Sequence, residues 1–322
     1  MNRYIIVDFL HLAHRCIKMP KLSSTVMCNG ELKEVDTTIA NSTIKNIWRY
    51  SGKGTYPTAV CLDGCSWRKS YFAKGFQDMD GQVAKGSEYK ANRENRGNPF
   101  YQGIDTAIAL LKNGKVSLYR KSDMEADDLL YSLVKKIKET DTTTPIDIIT
   151  NDSDILPLVD EQVSVYIRGT REYTVEGCPI VKGYYQVTPE SWDEYISYSS
   201  YYKDFKLPYN SILLYKMIRG DTSDTVPMAV KGYGAKKFTA LLDSLREDGC
   251  DFSNVFRYGK NFDTDIAPCL TKYFNAEEMR RIKFVYEGIN LKYVEGIQMP
   301  QLIVEAYLQR SLDGVGINLS KS

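Results

Sequence analysis

With 322 residues the chain is too long for one minimal core and suits one large α/β domain or two unequal ones. Its 42 Lys and Arg nearly balance 41 Asp and Glu, for a net charge of +1, which excludes a wholesale polycation and sends the search for basic surfaces to single segments. A composition 43% hydrophobic and 26% charged excludes disorder, and no apolar run approaches the ~20 residues of a membrane span.

The first residues, Met1-Asn2-Arg3 followed by Tyr4-Ile5-Ile6-Val7, hold too short an apolar stretch for a signal peptide. The seven cysteines are odd in number and scattered, so reduced thiols in a cytosolic compartment are expected. Strand signals fall at 4–7, 58–62, 115–119, 146–150 and at the alternating Val163, Val165 and Ile167. Helical patterns lie between them at 37–50, 104–112 and 125–139. This alternation predicts a mostly parallel sheet with helices on both faces. Residues 66–103 break the rhythm. Seven basic residues stand there against four acidic ones, interleaved with seven aromatics, which reads as a long, partly helical excursion from the sheet. Beyond it a hairpin is expected at 173–187 and helices at 211–219, 235–246 and 276–287, with a Gly-, Asp- and Pro-rich loop at 220–234. The last residues, 312–322, read as a flexible tail. The division expected is a core at 1–207, carrying the excursion at 66–103 and a Tyr-rich insertion at 173–207, followed by a helical region at 208–322.

Acids cluster at the ends of the strand signals. Asp8, Asp63 and the pair Asp152 and Asp154 each follow an apolar run, and Glu125, Asp127 and Asp128 open a helix after another. Each alone also reads as a helix cap or a loop residue. Together they bring seven carboxylates to the strand ends, where ligand sites of open parallel sheets form. Like charges that close cannot all ionise unaided. Hard divalent cations with oxygen ligands resolve the repulsion, and with only His11 and His14 in the chain the set points to Mg²⁺, with Mn²⁺ as a substitute, rather than Zn²⁺. Two such ions ~4 Å apart can activate water and stabilise the leaving oxygen of a phosphodiester. Asp221 and Asp224 add two further acids, with a turn as their plainer reading. Gly232-Tyr233-Gly234 before Lys236 and Lys237 places open amides and two cations at a helix start, suited to phosphate, although a lone G-x-G is also an ordinary turn. Tyrosines 184, 185, 195, 198, 201, 202 and 209 could stack on unpaired bases; packing of a small subdomain with hydroxyls exposed is the favoured reading.

These motifs in their order resemble the structure-specific 5′ nucleases, the flap endonucleases and 5′–3′ exonucleases. Ile6-Val7-Asp8, Leu62-Asp63-Gly64, Tyr89-Lys90-Ala91-Asn92-Arg93, Glu125-Ala126-Asp127-Asp128, Thr150-Asn151-Asp152-Ser153-Asp154 and Arg219-Gly220-Asp221-Thr222-Ser223-Asp224 carry the likeness. Details around Asp8-Phe9, Trp67-Arg68-Lys69 and Asn290-Leu291 look most like the phage RNase H type, which removes RNA primers. The resemblance implies a PIN-like core with an arch and a helix–hairpin–helix-type DNA grip. It implies two metal sites, one from Asp8, Asp63, Glu125 and Asp127, the other from Asp128, Asp152, Asp154 and Asp221, with Asp224 nearby. Lys90 and Arg93 are implied at the scissile phosphate, and Arg68, Lys69, Tyr89, Arg96, Gly232, Gly234, Lys236 and Lys237 as DNA contacts. It further implies K⁺ at the hairpin, a single-strand-binding protein or sliding clamp as partner, a monomer without membrane attachment, and the host cytoplasm as location for a phage-encoded chain. Phe9 replaces the usual glycine after the first aspartate. A PIN-type ribonuclease and a non-catalytic nucleic-acid binder of the same fold are the rival expectations.

Overall fold

The computed structural model describes residues 2–17, 19, 21–28, 31–80, 89–90, 97–168 and 184–321. In chain order the first half runs β1 (Tyr4–Asp8), α1 (Phe9–Cys16), β2 (Ser23–Cys28), β3 (Glu31–Asp36), α2 (Thr38–Tyr50), β4 (Thr58–Leu62), α3 (Trp67–Asp80), α4 (Asn98–Asn113), β5 (Ser117–Arg120), α5 (Ala126–Thr140) and β6 (Ile146–Ile149). A 3₁₀ turn (Ser153–Leu158) leads into β7 (Val163–Arg168), β8 (Tyr184–Val187), α6 (Trp192–Tyr198) and α7 (Ile212–Arg219). The chain ends with α8 (Ala235–Glu247), α9 (Phe252–Val255), α10 (Ala267–Leu270), α11 (Ala276–Ile289) and α12 (Glu305–Asp313).

The sheet has strand order β5-β4-β1-β6-β7-β8, parallel except for β8, which runs antiparallel to β7. Every residue of β4 and β6 is buried, as two covered faces require. Alternation along β1 divides the core. Ile5 and Val7 join α1, α2 and α4 on one face, and Ile6 joins α5 on the other. That second core continues without a break into α7, α8 and α11 through Leu213, Met217, Phe238, Leu242 and Tyr286.

Register decides what sits at the sheet edge. Asp8 pairs with Cys61 and Val7 with Ile149, so Asp8, the residue after Leu62 and the residues after Ile149 emerge at one level. Behind Asp63 the backbone is tight: the Gly64 N–H donates to Met124 O at 2.8 Å, and a Cβ at Gly64 would lie 2.0 Å from Lys121 O. Only glycine lets the β4 loop lie against the loop that feeds α5.

Two features differ from expectation. The sequence pattern at 23–36 predicts no strands, yet β2 and β3 form a hairpin there, and Asn29-Gly30 between the two segments is a strong hairpin signal. The tail is packed: Leu312, Ile317 and Leu319 are buried in the core that holds α4, and Gln301 bridges to Thr58 beside β4. The hairpin expected at 173–187 lies outside the described residues except for β8.

Candidate active site

The strand ends open into a cleft of 530 Å³ lined by Asp8, Asp63, Asp127, Asp152, Asp221 and Asp224, with Lys90, Lys216 and Arg219 on its walls. Asp8 ends β1 and caps α1, accepting from the His11 N–H at 3.1 Å, while Thr150 donates its hydroxyl to the other oxygen at 2.8 Å. Asp63 accepts the Ala126 N–H at 2.8 Å and so ties the β4 loop to the first turn of α5. Burial, then Asp63, pushes the Asp8 carboxyl up to about 7. Burial, then Asp152, with Glu125 and Asp8 adding to it, pushes Asp127 up as well. Asp8, Asp63, Asp127 and Asp152 are thus mutually repelling acids, and the hard oxygen donors suit a divalent cation. Among the described residues no three acidic, histidine or cysteine side chains stand close enough to hold a metal ion as they are, so the set is an acidic cleft rather than a closed cage.

The raised Asp8 carboxyl fixes a sign. Its ordinary value is 3.8, so between about pH 4 and 7 Asp8 holds a proton in the folded protein that it has lost in the unfolded chain. Its contribution to the stability of the metal-free protein therefore falls across that window as pH rises. Denaturant midpoints measured in EDTA at pH 5 and pH 8 check this: the midpoint is higher at pH 5, and Asp8→Asn flattens the slope.

The remaining acids carry basic partners. Lys216, buried on α7, bonds Asp154 and, at 2.6 Å, Asp221. Burial works against Asp221, but this lysine holds its carboxyl down at about 2. Lys90 bonds Glu125 and lies 3.5 Å from Asp224, whose carbonyl also accepts the Lys90 N–H at 3.0 Å. Burial opposes ionisation of Glu125, yet Lys90 and Arg68 hold it below its usual range.

Four predicted site residues are buried in contacts around the cleft. Arg68, 3% exposed, is no DNA contact: it forks onto Asp128 at 2.9 and 3.0 Å and reaches Glu125 at 2.8 Å. Asp128 is fully buried behind the cleft, where it also accepts the Lys292 N–H at 2.8 Å and the Trp67 indole N–H at 3.3 Å. Glu125, also buried, bonds Lys90 and Arg68. Tyr89 is buried, stacks on Phe72 and donates to Glu125 at 3.1 Å and Asp224 at 3.2 Å, which removes it from any DNA surface. Lys69, Lys236 and Lys237 are exposed. Arg93 and Arg96 lie outside the described residues.

The loop from α7 to α8 is built as a hairpin. Gly220 has φ 69°, and a Cβ there would lie 2.4 Å from Val226 O, so the turn demands glycine. A Cβ at Gly232 or Gly234 would meet nothing within 4 Å, and no side chain caps α8, which leaves its first amides open above Lys236 and Lys237. Arg219, which opens the Arg219–Asp224 motif, joins the two halves by donating to Tyr233 O and lying over Phe205. Lys216 was missed. Its position four residues after the amphipathic start of α7, on an otherwise apolar face, was the available signal. The tyrosines mostly pack, but with hydroxyls bonded rather than exposed: Tyr185 to Ser191, Tyr202 to Ser153 and Tyr209 to Val159. His11 and His14 face the cleft beside ring contacts with Tyr184 and Phe100, and Cys65 is exposed.

The N-terminal, resolvase-like domain of 5′-3′ exonucleases matches residues 3–180. DNA polymerase I of Caldicellulosiruptor bescii is 32% identical over 180 residues, covering 55% of this chain and 19% of that protein. The 5′-3′ exonuclease of Mycoplasma pneumoniae is 28% identical over 178 residues, covering 55% of this chain and 54% of that one. The chain therefore spans only about a fifth to a half of the curated relatives it matches. Among solved structures, the bacteriophage T5 D15 flap endonuclease, in a pseudo-enzyme–product complex with DNA and metal ions, superposes with a TM-score of 0.56 at 17% identity over 99% of this chain and 96% of that one. The catalytic core of Rad2 in complex with DNA substrate follows with 0.50 at 13% identity, over 98% of this chain and 87% of that one. These likenesses establish the shared fold, and the domain match covers more than half of the residues. With the acid-edged parallel sheet already in place, the chain belongs to the 5′–3′ exonuclease family of nucleases.

Proposed function

We propose that this protein is a divalent-metal-dependent 5′–3′ exonuclease and flap endonuclease that hydrolyses phosphodiesters near the 5′ ends of DNA or RNA-primed DNA. The observation that carries the reading is the convergence of Asp8, Asp63, Asp127 and Asp152 on one cleft under mutual repulsion. In donor chemistry and charge these four fit a Mg²⁺ or Mn²⁺ ion, with Asp221 and Asp154 as the residues for a second. When bound, such ions supply Lewis-acid activation of water and neutralise phosphate charge. The chain's own groups do the rest. Lys90, aimed by Glu125 and Asp224, stands on the cleft wall as a cation for a phosphoryl oxygen, the arrangement that stabilises developing negative charge. The open amides of α8 with Lys236 and Lys237 hold a duplex backbone phosphate at a distance from the cut. Removal of RNA primers in phage replication, by a monomer in the host cytoplasm working beside a single-strand-binding protein or sliding clamp, is the setting that suits the RNase H-type motifs.

The assay compares 5′-labelled flap DNA, nicked duplex, RNA-primed duplex and single-stranded RNA in Mg²⁺, Mn²⁺ and EDTA. Cleavage near the labelled end of the three junction substrates, abolished by EDTA, is the expected result. Cleavage confined to single-stranded RNA, or binding without any metal-dependent hydrolysis, refutes the reading.

A further inference from the structure

The cleft has an acidic floor but an apolar rim, and phosphate chemistry accounts only for the floor. Tyr201 lines the cleft and is 68% exposed, and Met228 on the same lining is 41% exposed. Single exposed aromatics are ordinary on a protein surface. Tyr201 differs because its position is fixed relative to the acids. The next residue, Tyr202, is 3% exposed, donates its hydroxyl to Ser153 at 2.9 Å and meets the Tyr215 ring edge-on at 5.5 Å. Ser153 directly follows Asp152, so the turn carrying Tyr201 is pinned to the acid-bearing loop. Backbone bonds from Tyr202 and Lys203 to Ser199 O at 3.3 and 3.0 Å close that turn. A large ring is thereby held in water at the mouth of a site for sugar–phosphate.

We propose that Tyr201, with the Met228 thioether on the same rim, stacks on an unpaired nucleobase of the strand being cut and so sets the nucleotide beside the carboxylates. The inference rests on the nuclease reading above. An aromatic face accepts any base, so this contact supports binding of frayed or single-stranded 5′ ends without sequence preference. Tyr201 is a substrate-stacking residue in this scheme and takes no part in proton transfer.

The test uses the full chain as wild type, Tyr201→Ala, Tyr201→Phe and Tyr201→Trp. Cleavage in Mg²⁺ is measured on a nicked duplex carrying either a normal base or an abasic site at the 5′-terminal nucleotide. Stacking by one base predicts that Tyr201→Ala lowers kcat/KM by roughly 10- to 100-fold on the normal substrate, with Phe and Trp restoring it. On the abasic substrate wild type and Tyr201→Ala become equal. A deficit of the same size on both substrates, or no deficit on either, overturns the proposal. A 2-aminopurine at the same nucleotide gives an independent reading in Ca²⁺, without turnover: its fluorescence is quenched in the wild-type complex and not with Tyr201→Ala. Equal quenching in both overturns the stacking role. Quenching lost with Tyr201→Ala, in a protein that cleaves nothing in Mg²⁺, upholds stacking and refutes only the nuclease reading.

Discussion

Asp127→Asn is expected to lower cleavage of a labelled flap by roughly 10²- to 10³-fold, the loss typical when one electrostatic contributor to a transition state is removed. Duplex binding is expected to stay near the wild-type value, because the proposed duplex contacts, the first amides of α8 with the exposed Lys236 and Lys237, lie on a separate helix. Asp127 stands in the first turn of α5 and lines the cleft, and its carboxyl is pushed up by burial, then by Asp152, with Glu125 and Asp8 adding to it. In the metal-free protein an ionised Asp127 is therefore unfavourable, and a neutral amide of the same shape relieves the repulsion. The same variant should melt at a higher temperature than wild type in EDTA and gain less from added Mg²⁺ or Mn²⁺. A ligand bound by the folded state alone stabilises by ~2.7 kcal/mol at a hundredfold excess over its Kd, so the loss of that gain is readable in a melting curve. Asp152→Asn should behave alike, since Asp152 is the acid that adds most to the repulsion at Asp127. A variant that melts lower in EDTA while cleaving normally would make Asp127 a structural group and remove the site assignment.

The motif order in the sequence located the cleft, because strand-end acids need only local signals: an apolar run, then a carboxylate. The parallel sheet followed from the same runs. Roles that depend on which way a side chain turns were not legible. Asp128 is three residues from Glu125, one position from Asp127 and chemically identical to it, yet the step of about 100° between neighbouring helix positions places it at 0% exposure against Arg68 and Lys292 while Asp127 faces the cleft. The role of Lys216 was not legible for a related reason. One of its partners, Asp154, is 62 residues away, and no periodic pattern encodes such a pairing. The burial of 312–319 was missed because a short apolar stretch after a helix reads as a tail until a groove beside α4 is known to receive it.

Arg68→Ala is expected to cost about 3–5 kcal/mol of stability, the range for removing one partner of a buried ion pair. The guanidinium is 3% exposed and satisfies two carboxylates at once, forking onto both oxygens of Asp128 and reaching Glu125. It also lies over the Trp67 ring at 4.8 Å. Truncation leaves Asp128 fully buried with neutral donors only, the Lys292 and Glu125 N–H groups and the Trp67 indole. Urea denaturation in EDTA measures the loss. Arg68→Lys keeps the charge but not the fork, so its midpoint should fall between wild type and Arg68→Ala. Adding Asp128→Asn to Arg68→Ala should recover part of the deficit, because the uncompensated charge is then gone, and the size of the recovery is the coupling between the two residues. The alternative, Arg68 as a phosphate contact, predicts a different pattern: unchanged stability, weaker binding on every sequence, and a salt dependence of binding reduced by about one counterion. Burial of the guanidinium decides for the first pattern, and with it the role of α3: its start is anchored to α5, so that the Glu125 held by Arg68 can in turn hold Lys90 at the cleft.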